Sequence, residues 1–330
     1  MDRNGSAILE KRIFGVGPAN FSDLALEVFR FQYDHNPLYR SYTDALRVDP
    51  RKVDSIRAIP FLPISFFKTG VVKTTGFDTG TVFESSGTTG AVNSRHFVRE
   101  PSLYRESFVR GFEAFYGPVG EWCIIGLLPS YLERKNSSLV VMVDELIRLS
   151  GHPSSGFYLY EHEALHQVLR QLETRGQRTL LIGVTFALLD FAENHPIPLH
   201  HTVVMETGGM KGRRREMTRP ELHTFLSERL GLRAVHAEYG MTELLSQAYS
   251  AGGGQFRSVP WMRALVRNDD DPLAVGQQGE GILNIIDLAN LYSCAFIATE
   301  DLGRVEEDGS FRVSGRVDNS DIRGCSLMVP

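Results

Sequence analysis

The sequence predicts an α/β fold with a smaller β-rich subdomain, and three observations carry that prediction. Between residue 80 and about residue 255, apolar runs of strand length alternate with amphipathic stretches of helix length, the pattern of layers around a largely parallel sheet. Beyond that point helical periodicity stops, and GILNIIDLAN, SCAFIATEDLG and GRVEEDGSFRVSGRVD read as short strands parted by Gly/Asp turns. The balance of 42% hydrophobic and 23% charged residues in 330 is that of a folded chain with a large core. The expected organisation is a helical and extended segment packed on the core (1–79), an α/β nucleotide- and acyl-binding core (80–255) and a β-rich subdomain (256–330).

In the first segment, Asn20 or Ser22 caps a run with apolar positions 21, 24, 25, 28 and 29, which predicts a helix. The aromatic-rich FRFQYDHNPLYRSYTDAL is broken by Pro37, a turn between two helices. IPFLPISFF (59–67) holds two prolines and reads as an extended segment crossing the core, because proline donates nothing to a ladder. VFESSGTTG (82–90) starts as a strand and ends as a small-residue loop. PSLYRESFVRGFEAFYG (101–117) is a helix closed by glycine, and WCIIGLLP (122–129) is a buried strand. SLVVMVDELIRLS (138–150) passes from an apolar run into helix, while EHEALHQVLRQLETR (161–175) is helical. TLLIGVTFALLDFA (179–192) and TVVMETGG (202–209) begin with buried strands. TRPELHTFLSERLG (218–231) is a helix, with a threonine cap, a proline two places on and a terminal glycine.

Composition narrows the function. A net charge of −5, from 35 basic and 40 acidic residues, lacks the basic excess of a nucleic-acid binder and gives no support to a membrane-surface role. No stretch approaches the roughly 18 apolar residues of a membrane span, and MDRNGSAILEKRIF lacks the apolar run of a secretory signal. Cys123, Cys294 and Cys325 are too few and too scattered for a disulfide framework or a four-cysteine zinc site, which fits a cytoplasmic location.

Three constellations can carry chemistry. Ser85-Ser86-Gly87-Thr88-Thr89-Gly90 sets four hydroxyls and two glycines after a strand start. Its backbone N–H groups and hydroxyls suit a phosphate cradle, or equally a plain surface turn. It is no Walker A loop, since the chain has no Gly-Lys pair. Ala237-Glu238-Tyr239-Gly240-Met241-Thr242-Glu243 follows the predicted strand VHAEY, at a strand end where ligand crevices form. An acid there suits Mg²⁺ and a tyrosine suits a base, and a turn with a helix cap needs the same residues. Thr299-Glu300-Asp301-Leu302-Gly303 and Gly315-Arg316-Val317-Asp318 offer a carboxylate for ribose hydroxyls and an arginine for phosphate, or two turns joined by a salt bridge.

In that order, the Ser/Thr/Gly loop, YGxTE, T-x-D-x-G and GRxD resemble the adenylate-forming superfamily of acyl-CoA synthetases, peptide-synthetase adenylation domains and luciferase. The closer resemblance is to the acyl-protein synthetase family, the fatty-acid-activating component of bacterial bioluminescence fatty-acid reductase complexes. It rests on IPFLPISFFK (59–68), FESSGTTG (83–90) with Ser94-Arg95-His96, SSLVVMV (137–143), GGMKG (208–212), EYGMTE (238–243) and RGCSLM (323–328). The resemblance implies an adenylate-forming N-terminal-domain fold that binds ATP and Mg²⁺ and activates a carboxylic acid, with an acyl reductase or carrier protein as partner. It implies that Ser85, Ser86, Gly87, Thr88, Thr89 and Gly90 wrap the ATP phosphates and that Tyr239-Gly240 stands by adenine. Thr242 then touches phosphate or acyl adenylate, Glu243 coordinates Mg²⁺, Asp301 accepts the ribose hydroxyls with Arg316 nearby, and Cys325 holds the acyl group.

The resemblance leads us to expect an end near the superfamily's hinge, with no counterpart in these residues to the customary lysine of the mobile C-terminal domain. Lys211, among glycines 208, 209 and 212, is the internal substitute or a solvated loop lysine; Arg213, Arg214 and Arg215 read as a solvated run. Arg323 would favour the thiolate of Cys325, which could otherwise be a terminal packing residue. Cys123 and Cys294 sit in apolar runs and read as inert, whereas His96 and His236 lie near the ligand loops. His162-Glu163-Ala164-Leu165-His166 matches HExxH, but Leu165, Val168, Leu169 and Leu172 mark a packing helix and Glu193 is a poor third ligand. The expected function is ATP-dependent acyl adenylate formation followed by transfer to a cysteine and a partner. The alternatives are an acyl- or aryl-CoA or carrier-protein ligase, and an adenylate-binding subunit with reduced activity.

Overall fold

Buried strands alternating with helices fold the middle of the chain around a parallel sheet, as the spacing predicts. The computed structural model describes residues 3–85, 92–128, 136–208, 217–268 and 270–317. Ser86, Gly87, Thr88, Thr89, Gly90, Lys211, Arg213, Arg214, Arg215, Arg323 and Cys325 lie outside the described residues. Two units divide the chain. One gathers Met1–Phe108, Gly240–Gln247 and Arg257–Val317; the other gathers Val109–Tyr239, Ala248–Phe256 and Asp318–Pro330.

In the second unit, Gly156–Phe157, Cys123–Leu127, Thr179–Val184, Thr202–Thr207 and His236–Tyr239 run parallel in that order, and Ala248–Ser250 adds antiparallel to the last. Cys123–Leu127 and Thr179–Val184 are buried at every position, the signature of a sheet covered on both faces. Close approach fixes one glycine here: a Cβ on Gly126 would lie 2.7 Å from the Phe157 ring. The Arg219–Leu230 helix is framed by a complete capping box between Thr218 and Glu221 and by left-handed Gly231. Ser138–Ser150 is helical from its first residue, with Ser137 as its side-chain cap, so the apolar run belongs to the helix itself.

The His162–Thr174 helix buries Leu165, Leu169 and Leu172. Its two histidines meet His195, at ring-centroid distances of 6.0 Å from His162 and 5.6 Å from His166. His162 and His195 both also pack on Phe191. Among the described residues, no group of three or more His, Cys, Asp or Glu side chains converges to hold a metal ion.

The first unit is built on an antiparallel sheet in the order Val275–Gly276, Met262–Arg267, Gly279–Asp287, Phe296–Val305 and Phe311–Arg316. The proline-rich segment contributes a two-residue strand, with Leu62 beside Ile297 and Pro63 beside Ala298. A hairpin pairs Thr81–Glu84 with Arg95–Val98. The helix Phe21–His35 stops two residues before Pro37, which opens the helix Pro37–Ala45. Asn20 occupies the cap position but makes no cap bond; its Oδ1 accepts from Gly17 N at 2.8 Å instead, and Ser22 lies within the helix. Among the described residues no helix is long and apolar enough to cross a membrane.

This packing predicts that His162 and His166 serve no metal. Elemental analysis of the purified protein should find no stoichiometric zinc, and zinc that vanishes in His162→Ala would overturn the assignment.

Candidate functional site

Polar groups buried inside a protein persist only when they are paired, so the pairings around the YGMTE sequence define its shape. Tyr239 ends the last parallel strand; the chain then turns, with Leu244 N donating to the Met241 carbonyl at 3.0 Å. The turn's next peptide groups are held by side chains from elsewhere in the first unit. His96 Nδ1 lies 2.8 Å from the Thr242 carbonyl, and Asn290 Nδ2 donates to the Glu243 carbonyl at 2.8 Å. The Asp287 carboxylate accepts from Leu245 N at 2.8 Å, from Ser246 N at 3.0 Å and from Ser246 Oγ at 2.5 Å. Burial pushes the Asp287 carboxyl up to about 6, against the pull of these bonds, so it is ionised at neutral pH.

A carbonyl can only accept, so the His96 proton is on Nδ1. Burial pushes this ring down to about 4, and it is neutral at pH 7. By geometry, neither Nε2 nor Asn290 Oδ1 has a hydrogen-bond partner among the described residues. Both are acceptors in this tautomer, so neither can donate to the other.

Thr242 is partly exposed at this turn and Glu243 is 5% exposed, so a hydroxyl and a carboxylate sit on consecutive anchored peptides. Asp301 and Arg316 are direct cross-strand partners, with Arg316 Nε donating to Asp301 Oδ1 at 2.8 Å. The pair is thus carried by neighbouring strands rather than by two turns. The register shifts between Leu302 and Gly303, one residue beyond Asp301, the kind of irregularity that re-aims side chains. Glycine is required at 303, where a Cβ would lie 2.2 Å from the Arg312 carbonyl oxygen. Ser85 forms the neck of the Ser/Thr/Gly loop: its N donates to the Ser94 carbonyl at 3.1 Å and its Oγ accepts from Ser94 N at 2.9 Å.

In the second unit, Tyr239 is buried against Phe256, with ring centroids 5.8 Å apart. Its neighbour Glu238 accepts from Thr207 Oγ1 at 2.6 Å. Burial, assisted by Glu206, pushes the Glu238 carboxyl up to about 7 although the threonine bond pulls the other way. His236 lies 3.1 Å from the Tyr116 hydroxyl. Cys123 and Cys294 are buried thiols, and burial raises Cys294 to about 12, which suits inert packing.

Ser85, Thr242, Glu243, Asp301 and Arg316 all belong to the first unit, while Tyr239 closes a segment of the second and Gly240 opens the next of the first. Sequence reasoning missed Asp287, Asn290 and Ser246. The available signal was the polar pair Asp287 and Asn290 inside the apolar run NIIDLANLY, since buried polar residues there must serve as anchors.

A parallel sheet with flanking helices in one unit and an antiparallel sheet bearing the acid–arginine pair in the other is the fold of the adenylate-forming enzymes. The structure is similar to a 2-hydroxyisobutyryl-CoA ligase solved with 2-HIB-AMP and CoA, at a TM-score of 0.66 and 12% identity over 92% of this chain and 72% of that one. It is similar to ATP-bound MatB from Rhodopseudomonas palustris, at 0.56 and 17% identity over 74% and 49%. The likeness to the O-succinylbenzoate coenzyme A synthetase MenE from Bacillus subtilis, solved with ATP and magnesium ion, is 0.50 and 17% over 74% and 52%. The chain thus spans about half the length of the last two. The chain belongs to the acyl-protein synthetase family: the family model "Acyl-protein synthetase, LuxE" matches residues 19–330. No individually curated protein matches it.

The raised Glu238 carboxyl makes a pH prediction. A carboxyl held near 7 in the folded chain, against an ordinary 4.5, stabilises the fold below 4.5 and loses that contribution as pH rises through 7. Glu238→Gln, neutral throughout, should flatten this slope, so that its urea midpoint gains on the parent between pH 5 and pH 8. Parallel midpoints across that range would refute the shift.

Proposed function

We propose that this chain uses ATP and Mg²⁺ to activate a carboxylic acid, a fatty acid in the leading reading, as its acyl adenylate, then passes the acyl group to Cys325 and on to a partner such as an acyl reductase. The observation that carries the reading is the family match along residues 19–330, which takes in every motif at once.

The donor set suits these ligands. Glu243 and Thr242 offer the hard oxygens that Mg²⁺ prefers, on peptides already fixed by His96 and Asn290. The ion would supply neutralisation of charge on the phosphates. Asp301, held by Arg316, presents an acceptor suited to two ribose hydroxyls. Residues 86–90 would add backbone and hydroxyl donors, with Ser85 closing the neck of their loop and Lys211 as a further cation. In the first step the substrate carboxylate attacks the α-phosphorus and pyrophosphate leaves; positioning and electrostatics do this work, with no acid–base residue needed. In the second, the Cys325 thiolate attacks the acyl carbon and AMP leaves, with Arg323 favouring the thiolate.

The likeness to a CoA ligase over 92% of the chain favours a second reading, in which the acceptor is CoA or a carrier-protein thiol.

AMP release on incubation with ATP, Mg²⁺ and a panel of carboxylic acids tests the first step. Glu243→Ala, and the isosteric Glu243→Gln, should lower acid-dependent pyrophosphate–ATP exchange by about 10²–10³-fold. Thermal unfolding should confirm that the variants fold, and exchange within threefold of the parent would overturn the role.

The second step has its own test. With labelled acid the parent should acquire a hydroxylamine-labile label, and Cys325→Ser should lose it or retain it as a stable ester while still forming AMP. Equal labile labelling of both would exclude Cys325. Label on neither, with acyl transfer to added CoA, would favour the second reading.

A further inference from the structure

We propose that His96 is a positioning residue for the activation reaction: its Nδ1–H holds the Thr242 carbonyl and so fixes the turn on which Thr242 and Glu243 are presented. The inference rests on the function proposed above for that turn. Three side chains hold its peptide groups, and they differ in origin. Asp287 and Asn290 come from one turn, Leu288–Asn290 and its cap, which is itself tied to the N-terminal helices by Gln32 donating to the Asn290 and Leu291 carbonyls. His96 comes from the strand Arg95–Val98, which returns from the Ser/Thr/Gly loop, and its bond spans 146 residues of sequence. One imidazole therefore joins the strand leaving one candidate ligand loop to the turn that forms another.

The ring is placed to act as a fixed spacer. It has no exposed surface, and Phe67 packs edge-on against it at a centroid distance of 5.7 Å. The Thr242 carbonyl is the acceptor of its Nδ1 bond. Removing the donor leaves the part-buried Thr242 carbonyl without this partner, and the turn is then free to re-form.

The test uses variants that separate the donor from the volume. His96→Phe keeps a ring without the donor, and His96→Asn keeps an N–H close to the Nδ1 position. His96→Leu matches Asn in shape without the donor, and gives the same comparison should the Phe variant fail to fold. In the unliganded protein, amide hydrogen exchange across 240–247 should quicken by about tenfold in His96→Phe and His96→Leu, leaving the strand Thr179–Val184 unchanged. The kcat of acid-dependent pyrophosphate–ATP exchange should fall by about 10²-fold, the scale of a small misplacement, with KM for the acid nearly constant. His96→Asn should recover most of both. Unchanged amide exchange in the donorless variants, or equal impairment of Asn and Leu, would overturn the role. A parent with no acid-dependent exchange would overturn the proposed function and the catalytic consequence together, and the amide-exchange arm would still decide whether His96 holds the turn.

Discussion

The arrangement of the candidate site depends on one buried carboxylate. Asp287 has no exposed surface, and an ionised group there would cost several kcal/mol if it were unpaired. It is instead met by the amides of Leu245, Ser246 and Ala289 and by the Ser246 hydroxyl. That hydroxyl gives its only proton to Asp287, so the Ser107 hydroxyl at 3.0 Å must donate to it, and Trp261 Nε1 in turn donates to Ser107 at 3.0 Å. The result is a chain of bonds with a single direction, from indole to carboxylate. Such a chain tolerates little rearrangement, because reversing one link leaves a buried charge short of a donor. The segment after Thr242-Glu243 inherits its shape from that constraint.

The turn that carries Asp287 and Asn290 is secured from the opposite direction. Gln32 donates to two of its carbonyls and accepts from Ala295 N, while Asn36 donates to the Ser293 carbonyl. Both residues are fully buried on or beside the helix Phe21–His35. The N-terminal segment is thus part of the support of the site and more than a covering for it. Asp301 and Arg316 are fixed differently, by sheet register. Thr299 Oγ1 accepts from Asp301 N and donates to the Leu283 carbonyl, filling the ladder where the register of the strand Phe296–Val305 shifts.

Much of this was legible in sequence where the signal was local. The threonine cap at 218 and the glycine at 231, the break at Pro37 and the alternation of buried strands with helices depend on residues a few positions apart, and all are present. The failures were local rules overruled by neighbours. Asn20 bonds back to Gly17 in place of capping, and the apolar start of Ser138–Ser150 is helix because Ser137 caps it. The HExxH match is no such failure, since its leucine stripe already reads as a packing helix, and its histidines lie among leucines, Phe191 and a third imidazole in ring contact. The candidate residues came from motif order, whereas their supports did not. His96 and Thr242, or Ser107 and Ser246, are more than a hundred residues apart, and no spacing rule reaches that far.

The charges of the described site residues lead to one further step. Arg316 is matched by Asp301, His96 is neutral, and Asp287 is anionic but satisfied by its own four donors. Among the described residues of the first unit's site, the supports bring dipoles and matched pairs rather than uncompensated positive charge. Fixed dipoles stabilise developing charge without reorganising when it appears, which is where preorganised sites gain most. A reaction at the α-phosphorus of ATP in such a site would draw its stabilisation from oriented N–H and hydroxyl groups and from a divalent ion at the carboxylate. Small displacements of the turn would then matter more than changes of net charge. That is the regime in which an uncharged hydrogen bond, such as that from His96, can govern rate while leaving substrate affinity nearly untouched.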